Sequence, residues 1–127
     1  MRSRLTGLFL ACGLLMTVPA SADWTHWRGP MRNGTSEETD LISGWSAQGD
    51  NLLWRVDFTG RSTPLVLGDR VCVNGRSGEG IDRQEVAACY DVATGKQLWE
   101  QRFNVYHTTV PWTRAGWPNP AIDAETG

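Results

Sequence analysis

From Leu52 onward, apolar and polar residues alternate over short runs that turn dipeptides interrupt. In Leu52–Asp57, Leu52, Trp54 and Val56 share one face while Arg55 and Asp57 take the other, a period of two that predicts a half-buried strand. Pro64–Leu67 predicts a second strand, Gly68-Asp69 a turn and Arg70–Asn74 a third strand. The stretch Gly75–Gln84, rich in Gly and of mixed charge, reads as a loop. Glu85–Tyr90 then predicts a strand, Asp91–Gly95 a turn and Gln97–Arg102 a last strand. No helical period of useful length interrupts them. Short strands at this spacing predict an all-β fold of antiparallel hairpins in sequence order.

The region before Leu52 divides in two. Arg2 and Arg4 precede the apolar run Leu8–Val18, Pro19 breaks it, and Ala20-Ser21-Ala22 has the small-x-small pattern of a secretory cleavage site. Residues 1–22 therefore read as a signal peptide, too short in its apolar part to span about 30 Å of hydrocarbon. Cys12 inside the run raises a lipoprotein alternative, which Phe9 and the short stub left by cutting there disfavour. The expected mature chain begins at Asp23 and is exported to the periplasm or the extracellular space. Residues 23–51 form a Trp- and Gly-rich lead-in, with turn dipeptides at Gly29-Pro30 and Asn33-Gly34. Thr35-Ser36-Glu37-Glu38 has the form of a capping box and predicts one short helical turn. Trp24, Trp27 and Trp45 read first as plugs that pin the N-terminus to the domain, and second as an aromatic platform for a sugar ring.

Charge and cysteines narrow the classes. The formal charge is -2 with no basic run, and a nucleic-acid binder ordinarily carries a basic stripe. Export would leave Cys72 and Cys89 as the only cysteines, each inside a β-like run. Two buried free thiols is the favoured reading, and an oxidising compartment leaves a cross-strand bridge open. Neither cysteine belongs to a CxxC or CxxCH motif.

One stretch repeats in outline. Thr63-Pro64-Leu65-Val66-Leu67-Gly68-Asp69 recurs as Asn119-Pro120-Ala121-Ile122-Asp123-Ala124-Glu125-Thr126-Gly127, with Pro64 and Pro120 separated by 56 residues (120 − 64). That period suits one propeller blade with an enlarged loop. Cys89-x-Asp91-x-x-Thr94-Gly95-Lys96-x-x-Trp99 resembles the AxDxxTGxxxW motif of PQQ-like β-propeller repeats, with Cys89 in place of the usual Ala. The lead-in Asp23-Trp24-x-x-Trp27-Arg28-Gly29-Pro30-x-Arg32-Asn33-Gly34 resembles the mature N-terminus of exported bacterial members of that family, abundant in planctomycetes. Phe103–Pro111, running on to Trp117, resembles their connection after the first blade.

The resemblance implies β-propeller blades of antiparallel strands. Residues 52–103 would be a first blade, and residues 104–127 a long connection and the start of a second. Asp91, Thr94 and Gly95 would shape a turn that delivers Trp99 to the seam with the neighbouring blade. The chain then reads as the opening of a longer protein that needs further blades for closure. By itself it is expected to be marginally stable and prone to associate through open strand edges.

Function is less determined than fold. The leading expectation is a non-catalytic binding or assembly scaffold, with a protein or a polysaccharide as partner. The alternatives are the N-terminal part of a PQQ-dependent quinoprotein dehydrogenase and a Trp-based carbohydrate-binding module. A dehydrogenase of that family would need a Trp floor for PQQ, a Glu/Asn/Asp set for Ca²⁺, an Asp base and often adjacent cysteines; the sequence has no dense acidic cluster for Ca²⁺ and no adjacent cysteine pair. PQQ and Ca²⁺ are therefore expected only if sequence downstream supplies their ligands. Single candidates read as structural: His107 beside Thr108 and Thr109 as a loop residue, His26 as packing between two Trp, and Glu37, Glu38 and Asp40 as a solvated acidic turn. Asn33-Gly34-Thr35 fits the glycosylation sequon.

Overall fold

The computed structural model describes residues 23–105, 115–123 and 125–126. The signal-peptide assignment with Cys12, and His107 with residues 106–114 of the expected 104–127 connection and second-blade start, lie outside the described residues. Four strands form one open antiparallel sheet in sequence order: β1 (Leu65–Leu67), β2 (Arg70–Ser77), β3 (Gln84–Asp91) and β4 (Gln97–Asn104). A single 3-10 turn at Gly80–Asp82 joins β2 to β3, and no α-helix occurs among the described residues. The fold is thus all-β, as the alternating pattern requires.

The register sorts the side chains onto two faces. Val71, Val73 and Gly75 on β2 oppose Tyr90, Ala88 and Val86 on β3, and these in turn oppose β4 at Glu100 and Arg102. On the other face Cys72 opposes Cys89, and Cys89 opposes Trp99. Val86, Ala88 and Tyr90 are buried at the centre of the first face, with Val56, Phe58, Val71 and Val73 packed around them.

The cover over that face is the stretch expected to be a strand. Residues 52–58 do alternate, with Trp54, Val56 and Phe58 half-buried and Arg55 and Asp57 exposed, but they pair with no strand. The period of two reflects an extended segment laid across the sheet, one side down, in place of membership in it. Phe58 meets Tyr90 edge-on at 6.2 Å, and Trp54 lies tilted against the same ring at 6.5 Å. Gly75 lets this happen: a Cβ there would run into the Phe58 ring and the Thr59 carbonyl. Its neighbour Arg76 donates its backbone N–H to that carbonyl at 2.8 Å. The expected loop from Gly75 is therefore strand as far as Ser77, and Gln84 likewise belongs to β3.

Two segments strap the open ends. Trp24 bridges Val66 through a reciprocal pair of backbone bonds, 2.8 and 3.0 Å, which covers the outer edge of β1. Residues 115–123 return across the second face. Pro118 offers its carbonyl to Asn74, the Asn119 side chain accepts the Thr63 N–H at 2.8 Å, and Ile122 donates to the Thr25 carbonyl at 3.2 Å. The two prolines of the repeat are thereby brought into one neighbourhood. The capping-box helix does not form. Residues 35–39 are irregular, and the Ser36 hydroxyl caps only the Glu38 N–H at 3.2 Å, since the segment has no apolar face to bury.

Candidate functional site

The β3–β4 hairpin carries the motif singled out in the sequence. Asp91 closes the turn by accepting from the Thr94 N–H at 2.8 Å and the Thr94 hydroxyl at 2.6 Å, while Thr94 accepts in turn from the Lys96 N–H at 3.3 Å. The hydroxyl and amide donors hold the Asp91 carboxyl below its ordinary value of 3.8. Gly95 adopts φ +69, a left-handed conformation that side chains rarely take. The missing side chain has a second use. A Cβ on Gly95 would sit 2.6 Å from the Trp54 ring, so the indole lies directly on the turn and donates its N–H to the Val92 carbonyl at 2.8 Å. Trp54, which pattern reading assigned only to a strand face, is thus the lid of this hairpin.

A second Asp–Thr turn lies near the end of the chain. Asp123 accepts from the Glu125 N–H and the Thr126 hydroxyl, each at 3.0 Å, and its carboxyl is held low by those donors. Asp123-x-x-Thr126-Gly127 has the same residues at the same spacing as Asp91-x-x-Thr94-Gly95. The two turns lie 32 positions apart (123 − 91), a different offset from that of Pro64 and Pro120.

Trp99 does not join the Asp91–Gly95 turn. It points from the second face, 46% exposed, beside a groove of about 300 Å³ whose floor is Cys72 and Cys89 and whose far wall is Pro120–Asp123. Cys72 and Cys89 are joined as a disulfide across β2 and β3, which corrects the expectation of two free thiols. The cause is register. The two cysteines are direct partners with Cα atoms 4.1 Å apart, and sequence spacing alone does not fix which residues of a hairpin meet.

The first face holds a larger cleft of about 430 Å³, where Arg76, Arg83 and Arg102 meet Asp57, Glu79 and Glu100. Arg102 is fixed there by Glu100 at 2.6 Å and the Ser77 hydroxyl at 3.1 Å. Tyr90 lies buried in the neighbouring core, and burial first, then the Glu100 charge, pushes its hydroxyl above the ordinary value of 10.0. Positive and negative groups alternate in this cleft, so it presents no net field for an ion of one sign.

No family model matches the chain, and no curated protein or solved structure compared with it does.

The remaining candidates stay apart from both concavities. His26 accepts at Nε2 from Arg32, which has only donors, at 3.2 Å; its proton therefore sits on Nδ1, 3.1 Å from the Thr25 hydroxyl. Trp24 is half-buried, but Trp27 and Trp45 are 60% and 73% exposed, so neither is the plug expected of it. Around Trp27, residues 26–34 fold into tight turns through their own backbone bonds, and the Arg28 guanidinium lies over the Trp27 ring at 5.6 Å. Asn33 spends its side-chain oxygen on the N–H and hydroxyl of Thr35. Glu37, Glu38 and Asp40 are exposed, and among the described residues no group of three or more His, Cys, Asp or Glu is arranged to hold a metal ion. No helix among the described residues is long and apolar enough to cross a membrane.

Proposed function

We propose that the chain is the opening blade of an exported PQQ-like β-propeller that acts as a non-catalytic binding or assembly scaffold. One observation carries the reading: an aromatic lid, Trp54, sits on the Asp91–Gly95 turn, while Trp99, in the matching position after that turn, is left half-exposed beside an open groove. A four-stranded antiparallel meander is the size of one propeller blade, and a blade requires a neighbour to cover its faces. Trp99 is the residue that meets the neighbour.

The test compares Trp99→Ala in the longer protein that carries this chain and in the 127-residue chain itself. Truncation of an aromatic buried at a seam costs about 3–5 kcal/mol. Truncation of a half-exposed one costs about 1 kcal/mol by loss of apolar area. A large fall in melting temperature in the longer protein with a small one in the short chain supports docking. Equal small falls in both refute it.

A second reading has its own support. Trp27 and Trp45 are exposed aromatic surfaces of the kind a carbohydrate-binding module presents. Titration with soluble polysaccharide would then change intrinsic Trp emission, and Trp45→Ala would abolish the change; a flat titration of folded protein removes this reading. The quinoprotein alternative is tested by supplying PQQ and Ca²⁺ to the longer protein. Oxidation of an alcohol or sugar under those conditions would overturn the scaffold assignment.

A further inference from the structure

The two edges of the sheet are treated differently. The outer edge of β1 is covered by Trp24, whereas among the described residues nothing pairs with the outer edge of β4. β4 runs for 8 residues, QLWEQRFN, with neither Lys nor Pro to discourage pairing, and all but Glu100 are exposed. Its aromatic residues Trp99 and Phe103 are 46% and 52% exposed on the second face.

The direction of its main-chain groups follows from the ladder. Asn74 and Arg76 send their N–H groups away from β3, to Ser62 and Thr59, so Cys72, in phase with them, forms a non-hydrogen-bonded pair with Cys89. Cys89 and Ala87 therefore bond toward β4, to Trp99 and Gln101. The N–H and C=O groups of Glu100 and Arg102 therefore point outward, while the register shift beside Cys89 and Tyr90 places a bulge near Leu98, at the start of the strand.

The side chains then read the same from either end. Around Gln101 the sequence is aromatic, acid, Gln, base, aromatic: Trp99-Glu100-Gln101-Arg102-Phe103. We propose that β4 pairs antiparallel with β4 of a second copy of this chain, about a two-fold axis at Gln101, to make one continuous sheet. In that register Glu100 of one copy faces Arg102 of the other in a hydrogen-bonding pair, and Trp99 faces Phe103 in the closer, non-bonded kind of pair. The existing Glu100–Arg102 contact on each copy becomes half of a ring of four alternating charges. A two-fold contact uses the same patch twice and closes on itself, so the assembly stops at a dimer. The pairing does not require the scaffold reading, since among the described residues no strand pairs with the outer edge of β4.

Charge exchange tests the register. Glu100→Arg and Arg102→Glu each set like charges against each other in a pair of identical copies, yet the two variants complement one another. Sedimentation velocity of the oxidised wild-type chain at sub-millimolar concentration should give a dimer. Each variant alone should sediment as a monomer, and an equimolar mixture should restore the dimer, with far-UV circular dichroism showing each variant folded. Gln101→Lys, at an exposed position on the axis, provides a variant that leaves the charge pair in place; it should weaken association at least tenfold. A monomeric wild type, charge variants that dimerise alone, or a mixture that stays monomeric would each overturn the proposal.

Discussion

Replacing Gly95 with Ala perturbs two things that can be separated. The residue has φ +69, and a left-handed backbone costs an L-residue roughly 1–2 kcal/mol. The new methyl also lands on the Trp54 indole, at 2.6 Å from the nearest ring atom and 2.7 and 2.9 Å from two others, which is too close for either group to keep its place. Moving the indole breaks its bond to the Val92 carbonyl, about 0.5–1.5 kcal/mol net. It also loosens the contact with Tyr90. Together the cost is roughly 2–4 kcal/mol, a large part of the stability of a small domain. In a Trp54→Ala background the ring is absent and only the backbone penalty of about 1–2 kcal/mol remains. Urea unfolding of the four chains of this cycle, followed by far-UV circular dichroism, gives the coupling between the two residues. A coupling energy of about 1 kcal/mol or more is expected. Equal costs of Gly95→Ala in both backgrounds would refute the idea that Trp54 rests on this turn.

Two further outcomes follow from the hairpins. The Cys72–Cys89 bridge closes a stretch with a sequence separation of 17, for which the chain-entropy model gives about 3 kcal/mol. A reductant should therefore lower the urea midpoint of the wild type and leave a Cys72→Ala, Cys89→Ala chain unaffected, while a wild-type midpoint blind to reductant would contradict the bridge. The Asp91 carboxyl is lowered in the fold, so its contribution is present above the unfolded value near 3.8 and is lost as pH falls through the folded value. The stability advantage of wild type over Asp91→Asn should shrink in that acid window, and an advantage constant with pH would show that the Thr94 bonds do not favour the charged form.

Much of the sheet was legible because each strand announces itself by β-branched or alternating residues between strong turn signals. The Asp91–Gly95 turn was legible for the same reason, since Asp, Thr and Gly each supply a group the turn geometry requires. What the pattern could not distinguish was an alternating segment inside the sheet from one lying across it. Leu52–Asp57 has the period of a strand in both cases, and only the position of Gly75 beneath Phe58 decides between them. The polar end of β2 was hidden because Gly75, Arg76 and Ser77 have weak strand preference and are held by pairing with β3 and with Thr59. The bridge and the groove under Trp99 depend on register and on the return of residues 115–123, both of them long-range facts that local pattern does not encode. Exposed Trp27 and Trp45 show the converse: a large aromatic in the sequence is no guarantee of a place to bury it.

The strap formed by residues 115–123 sets an order of events in folding. The hairpins of the meander join neighbours in sequence and close short loops, so they can form early and locally. The bond from Ile122 to Thr25 instead joins residues 97 positions apart (122 − 25), and closing so long a span costs more chain entropy than closing a hairpin. The two ends of the described chain therefore come together last, on a sheet that is already built. They are also the first to part. Trp24 is held beside Val66 by its own pair of backbone bonds, so opening at these ends is expected to expose the edge of β1 while the core around Tyr90 stays folded.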